Sequence, residues 1–361
     1  MDARTSAADQ VADAVRAHAV DLLRFDAGLR AKVLKLLREV ERDLVRRLVD
    51  SEIEGEMTAA ARARLEALVA NLRATIATAY RSVDATVAGE LMGLAQVESG
   101  FVAAAVARTV GVELLTTALA APQLAAIVSD VLIEGAPTRE WWSRQAGDVV
   151  ERFKDTVRKG LVAGETNAEI VRRVRGTRAN GFKDGMMTAT RRHAEMLVRS
   201  SVQAVANKAQ IDTYRANGDV VQSLVHLSTL DSRTSQICVG RSGLEYTLDG
   251  EPIGHKVAFL GGPPYHPNCR SVMVPRLKSW KALGIDLPEI PPSTRASMDG
   301  QVPADIGFDA WLKTKSTEFQ DDLLGAGKAD LWRKGKIGLS DLIDQSGRPL
   351  SLEQLRARSA R

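Results

Sequence analysis

Both cysteines of the chain, Cys238 and Cys269, and three of its five histidines, His226, His255 and His266, lie between residues 226 and 275. Cys238, His266 and Cys269 offer two thiolates and an imidazole, a mixed set that zinc accepts in a tetrahedron, with His255 or Asp231 as fourth ligand. A segment with little regular structure gains stability from such a clip. No Cys-x-x-Cys pair accompanies them, and the plainer reading is two free thiols in a small core. A later Cys238–Cys269 disulfide is a third reading. A cysteine–histidine nucleophile pair is a fourth, disfavoured because Cys238 is expected near the C-terminal end of a helix, where the dipole opposes a thiolate. Gly261-Gly262 lacks the Lys-Ser/Thr of a phosphate-binding loop, and neither His-Glu-x-x-His nor Gly-x-Ser-x-Gly occurs.

These side chains need positioning. Asp231 is suited to cap a short helix from about Ser232 to Gly240, on which Thr234, Cys238 and Arg241 share a face. Gly243 fits the stop. Leu244 to Leu248 reads as a strand, Asp249-Gly250 as a turn, and Val257 to Leu260 as the returning partner. Gly261-Gly262-Pro263-Pro264 is rigid turn material. Ser271 to Pro275 reads as a last strand that ends at the proline. Arg233 and Arg270 are expected to fork onto carboxylates or backbone carbonyls inside the module.

The run Asp231-x-Arg233-Thr234, then Cys238 and Gly243, then Pro263-Pro264-x-His266-Pro267-x-Cys269-Arg270, resembles the phage Mu F-like minor capsid family, also called phage head-morphogenesis proteins. Asp231, Arg233, Thr234, Pro264, Pro267 and Arg270 are the structural positions of that motif. Members often carry a second cysteine after the Cys-Arg pair, where this chain has Ser271, a departure that weighs against a metal. The resemblance implies a non-enzymatic virion component, packaged in small numbers and placed near the portal vertex. It implies assembly in the host cytoplasm, with the portal protein, scaffold or major capsid protein as partners. Contact with packaged double-stranded DNA, or ejection with it, is a further implication. The rival reading is a zinc-dependent nuclease or peptidase built on Cys238, His266 and Cys269, against which the lack of an obvious carboxylate base counts.

The composition is that of a folded chain long enough for two domains: 45% apolar, 26% charged and only 4% aromatic. Abundant Ala, Leu and Val favour helix–helix packing. No run of about eighteen uncharged apolar residues occurs, so no membrane span is expected. The start lacks an apolar signal core, and two cysteines make no disulfide framework, which suits a reducing cytoplasm. The net charge is +4. Arg172, Arg173, Arg175 and Arg178 cluster within a stretch whose basic surplus reads either as a solvated, partly paired face or as a phosphate-contacting patch.

Along the chain, Leu29, Val33, Leu36, Leu37, Val40, Leu44 and Leu48 mark one helix face, and Leu65 to Leu94 repeats the pattern after a break at Gly55, suggesting an antiparallel pair. Gly89 and Gly93 are places where that second helix could bend or break. His18 reads as an unremarkable side chain. Phe101 to Val131 is a buried helical hairpin or a surface awaiting a partner, and Gly135-Ala136-Pro137 a hinge. Thr138 is expected to cap a helix anchored by Trp141 and Trp142. Thr166 and Glu169 form a capping box. A helix from about Met187 to Ala216 should floor the motif module. The fold class is therefore mainly α with a small α+β module. Its segments are an N-terminal helical region (1–135), a helical region leading into the motif (136–218), the motif module (219–278), a proline-rich linker (279–307) and a C-terminal run of short helices (308–361).

Overall fold

The computed structural model describes residues 7–110, 116–279, 281–282, 294–303 and 306–359. Helices α1 (Ala7–Asp50), α2 (Ala59–Val110) and α3 (Ala121–Asp130) lead to a ribbon of β1 (Leu132–Ile133) and β2 (Ala136–Pro137). Helices α4 (Thr138–Val162), α5 (Asn167–Arg175) and α6 (Met187–Ala216) follow. The motif region holds β3 (Val221–Leu227), α7 (Gln236–Arg241), β4 (Glu245–Tyr246), β5 (Pro252–Ile253) and β6 (Val272–Leu277). A hairpin of β7 (Thr294–Ser297) and β8 (Gly300–Pro303) precedes α8 (Phe308–Lys313), α9 (Thr317–Leu324), α10 (Ala326–Arg333), a 3-10 turn at Leu339–Leu342, and α11 (Leu352–Ser359). The protein is mainly helical with small antiparallel sheets.

Two compact units share the chain, and they interleave along it instead of following one another. One consists of Leu22–Gly93 and Val128–Val202; the other consists of Met1–Asp21, Leu94–Ile127 and Gln203–Arg361. In the first, Leu29, Val33, Leu37, Val40, Leu44 and Leu48 of α1 are buried, as are Leu65, Leu72, Ile76, Val83 and Leu91 of α2. The pairs Lys32–Glu90 and His18–Glu98 run in opposite sequence directions, so α1 and α2 are antiparallel. Gly89 does not interrupt α2, because a helix tolerates an isolated glycine at a cost of about 1 kcal/mol. Trp142 is buried on α4, its ring 6.4 Å from that of Tyr80. Thr138 opens α4 without capping it, since no side chain caps this helix. The Thr166–Glu169 capping box starts α5 as its sequence dictates. The expected hinge at Gly135 is instead a tight turn. Glu134 and Gly135 both have positive φ (47° and 82°), the geometry that joins two strands without splaying them, and the Trp141 indole donates to Ile133 O at 2.7 Å.

By length and composition, Ala59–Ala107 of α2 is apolar enough to cross a membrane; its best stretch has a mean hydropathy of 1.2, with 44% of it buried. A search for an uncharged run passes over it, because scattered single charges break the run without making the segment polar.

In the second unit, β3 is central in a sheet ordered β5-β4-β3-β6, all antiparallel. The module opens on the strand β3. Two expectations are corrected here. The partner of β4 is β5, not Val257 to Leu260. Strand β6 runs past Pro275, which edge strands permit because the missing N–H need not face a neighbour. Ile211 and Tyr214 of α6, with Val102 and Val106 of α2, pack against Val221, Leu224, Tyr246 and Met273, so α6 does floor the module. A second core joins Leu230 and Val239 to Phe308, Trp311, Leu312, Leu324, Trp332, Leu342 and Leu355. The C-terminal helices are thus part of the module's packing. Of the stretch read as a linker, residues 280, 283–293 and 304–305 lie outside the described residues, while β7 and β8 pair and Met298 N donates to Leu230 O at 3.0 Å. His18 is not incidental: its Nε2 lies 2.8 Å from the buried carboxylate of Glu98, which also accepts from Gln210 Nε2 at 2.7 Å. A buried carboxylate needs such partners, and the 80-residue separation hides the pairing from sequence.

Candidate functional site

The motif residues assemble around α7 and the turn 266–269. Asp231 does not cap α7. Its Oδ1 accepts from Arg233 N at 3.0 Å and lies 3.1 Å from the Thr234 hydroxyl, which donates to Thr229 O at 2.5 Å. This local side-chain turn competes with helix formation, so α7 starts four residues later with Ser235 as its cap. Arg270 grips both oxygens of Asp231, with Nη2 donating to Oδ1 at 2.9 Å and Nη1 to Oδ2. Burial pushes the Asp231 pKa up, but the Arg270 hydrogen bonds and charge outweigh it and hold the carboxyl below its usual range. Arg233 is no fork: its side chain is 81% exposed and stands 4.0 Å from Asp231.

His266, Pro267, Asn268 and Cys269 form a reverse turn closed by Cys269 N donating to His266 O at 3.1 Å. Proline in the second place and Asn268 at φ 57° in the third are what a type II turn requires. The turn carries His266 and Cys269 to the same place. Cys238 meets them from the first turn of α7, donating its N–H to Ser235 Oγ. That position overturns the expectation of a C-terminal location, because the helix begins later than the sequence suggests. Cys238 Sγ lies 3.2 Å from His266 Nε2 and 3.6 Å from Cys269 Sγ. His266 Nε2 is also 2.8 Å from Ser235 Oγ, and its Nδ1 is 2.9 Å from Pro267 O. Ser271 is buried near Cys238 and favours its thiolate.

The two sulfurs are free thiols, 1% and 2% exposed. Their contact acts on the two thiols in opposite directions. The Cys238 hydrogen bond lowers the pKa of Cys269 against the opposing effect of burial, with His266 helping. The same hydrogen bond and burial raise that of Cys238. His266 is raised chiefly by its hydrogen bond to Cys269, whose thiolate also attracts the ring's charge. The His266 ring and the Cys269 thiol thus each favour the other's charged form.

His255 does not join this cluster. Its Nε2 is 2.8 Å from Glu245 O and its Nδ1 accepts from Val257 N at 3.2 Å, so both nitrogens are engaged elsewhere. Asp231 is likewise taken by Arg270. Pro264 follows a cis peptide bond from Pro263, in the loop whose Gly262 backs onto Ile211. The roles of four residues were not read from the sequence. Ser235 was signalled by its place three before Cys238, the ordinary capping interval. Ser271, His226 and Arg241 carried no local signal. Arg241 is buried, donates to Ala258 O at 2.9 Å and stacks on Tyr265 at 4.3 Å. His226 is fully buried, and desolvation lowers its pKa to about 3.

The arginine cluster lies on the exposed side of α5 and the loop after it. Arg173 is bound to both oxygens of Glu165, Arg172 stands 3.8 Å from Glu169, and Arg175 lies over Phe182 at 4.8 Å. Arg178 is exposed.

No curated protein and no solved structure matches the chain. Residues 151–274, about a third of it, match the family described as phage Mu protein F like protein. The match runs from α4 through the two thiols into β6, and over that region the chain is similar to the phage Mu F-like proteins.

Proposed function

We propose that the protein is a minor head component that acts by binding portal, scaffold or major capsid protein during procapsid assembly, at the portal vertex, without turnover. The observation that carries this is the family match over 151–274, together with what the motif residues do there. Asp231, Thr234, Arg270 and Ser235 bond to one another, to the backbone or to the thiol–imidazole cluster, and both sulfurs are buried. Such an arrangement supports a rigid docking body better than a substrate cleft. Contact with packaged DNA is part of the reading, through Arg175 and Arg178, because Arg172 and Arg173 already face acidic partners.

The test is incorporation. Purified particles should contain the protein at low copy by quantitative mass spectrometry, and particles made without it should show assembly defects. Its absence from finished and precursor heads would remove the proposal. The hydrolase reading is checked on the same protein: cleavage of nucleic acid or peptide that disappears in His266→Gln would replace the assembly role with an enzymatic one.

A further inference from the structure

We infer that Cys238, His266 and Cys269 form a zinc site that clips α7 to the 266–269 turn. The inference does not depend on the head-assembly reading. Its basis is geometric. With Zn–S near 2.3 Å and Zn–N near 2.0–2.1 Å, a tetrahedron has S···S edges of about 3.7 Å and S···N edges of about 3.5 Å. The observed separations are 3.6 Å between the sulfurs and 3.2 Å from Cys238 Sγ to His266 Nε2, and all three ligand atoms lie within 4.8 Å of one another. Three side chains from two separate segments already outline one face of the polyhedron.

The surroundings fit a metal in other ways. A carbonyl only accepts, so the contact between His266 Nδ1 and Pro267 O places a proton on Nδ1 and turns Nε2 towards the sulfurs. Zinc-bound histidines are held by this kind of outer hydrogen bond. Two buried thiolates would balance the charge of one divalent cation, which removes the cost of burying an unpaired negative charge. Soft sulfur and imidazole donors select zinc over magnesium or calcium. His266 is half-buried, leaving one side of the cluster near solvent. The Ser235 hydroxyl stands 2.8 Å from His266 Nε2, and the buried Ser271 lies near Cys238. The fourth position therefore falls to a hydroxyl or a water. The carboxylate of Asp231 is held by Arg270, so no general base stands ready and the site is structural.

The test uses the full chain, purified under reductant, stripped with EDTA and titrated with Zn2+ against a chromophoric chelator. One zinc per chain is expected, with a rise in melting temperature. Co2+ in its place should give the visible absorption of a tetrahedral thiolate complex. Ser271→Cys should tighten zinc binding at least tenfold, because it would place a fourth strong ligand beside the cluster. Cys269→Ser should abolish the cobalt spectrum, and His266→Asn should weaken zinc binding at least tenfold in protein whose circular dichroism is unchanged. Wild-type protein that binds no zinc while both thiols titrate as free would overturn the inference. So would a Cys238–Cys269 disulfide persisting in reductant, or equal zinc uptake by the Cys238→Ser/Cys269→Ser double variant.

Discussion

At the scale of single residues, the module is held by a few polar contacts with little slack. Asp231 and Arg270 join segments that are 39 residues apart through two charge-assisted hydrogen bonds. Arg270→Leu should therefore destabilise the folded chain by about 1–3 kcal/mol, measured by urea unfolding, with Asp231→Asn costing a similar amount. Two glycines are equally constrained. A Cβ on Gly262 would lie 2.5 Å from Ile211 Cδ1, and one on Gly347 would lie 1.9 Å from Arg241 Nη2; both residues have positive φ, 91° and 79°. Alanine at either should lower the melting temperature, since about 1–2 kcal/mol of backbone strain adds to the collision. His226 adds a pH dependence. Its folded pKa is about 3 against 6.5 when unfolded, so the unfolded state binds the extra proton between those values. Stability should be level above about pH 6.5 and fall as the pH drops towards 3. In EDTA, to keep metal from contributing, His226→Leu should flatten the part of that decline between pH 6.5 and 4.5; an unchanged slope would show that another group causes it.

At the scale of elements, close approaches decide which helices pair. Gly160 of α4 lets Ile170 of α5 come so near that a Cβ would lie 2.5 Å from Ile170 Cγ1. Gly160→Ala should cost about 1–3 kcal/mol, because Ile170 is fully buried and cannot retreat without opening a void. The C-terminal helices are the larger dependency. Trp311 is buried, its indole donates to Asp299 at 3.1 Å, and its core includes Leu230 and Val239 beside the motif. Trp311→Ala should cost about 3–5 kcal/mol in chemical denaturation. Ending the chain before Phe308 should leave the motif module exposed to protease at Val239 and prone to aggregation. If limited proteolysis instead released a stable fragment lacking residues 308–361, the shared core would be unimportant.

At the scale of the molecule, the proposed assembly role depends on which charged surfaces can bind a partner. The net charge of +4 allows a DNA contact without requiring one. If the face near α5 touches packaged DNA, binding should weaken steeply with salt, and charge reversal at Arg175 and Arg178 should reduce the logarithmic salt slope by about 2, one phosphate each. The same change at Arg172 and Arg173 should do less, since those side chains already have acidic partners. A salt-independent affinity would leave protein docking as the whole of the proposed role.

The amino-acid order alone settles what depends on near neighbours. The long helices follow from three- and four-residue spacing of apolar side chains, the start of α5 from the Thr166–Glu169 pair, and the identity of the motif from residues a few places apart. The nearness of His266 to Cys269 was also legible, because they are three residues apart, whereas Cys238 is brought to them from 31 residues before Cys269. What folding alone decided are the contacts between distant segments. Glu98 calls for His18, Arg270 closes on Asp231, the C-terminal helices supply the core beneath Leu230, and His255 turns to the backbone instead of the thiols. Burial creates those requirements: a charge or an apolar side chain removed from water must find a partner, and which partner arrives is a property of the packed chain.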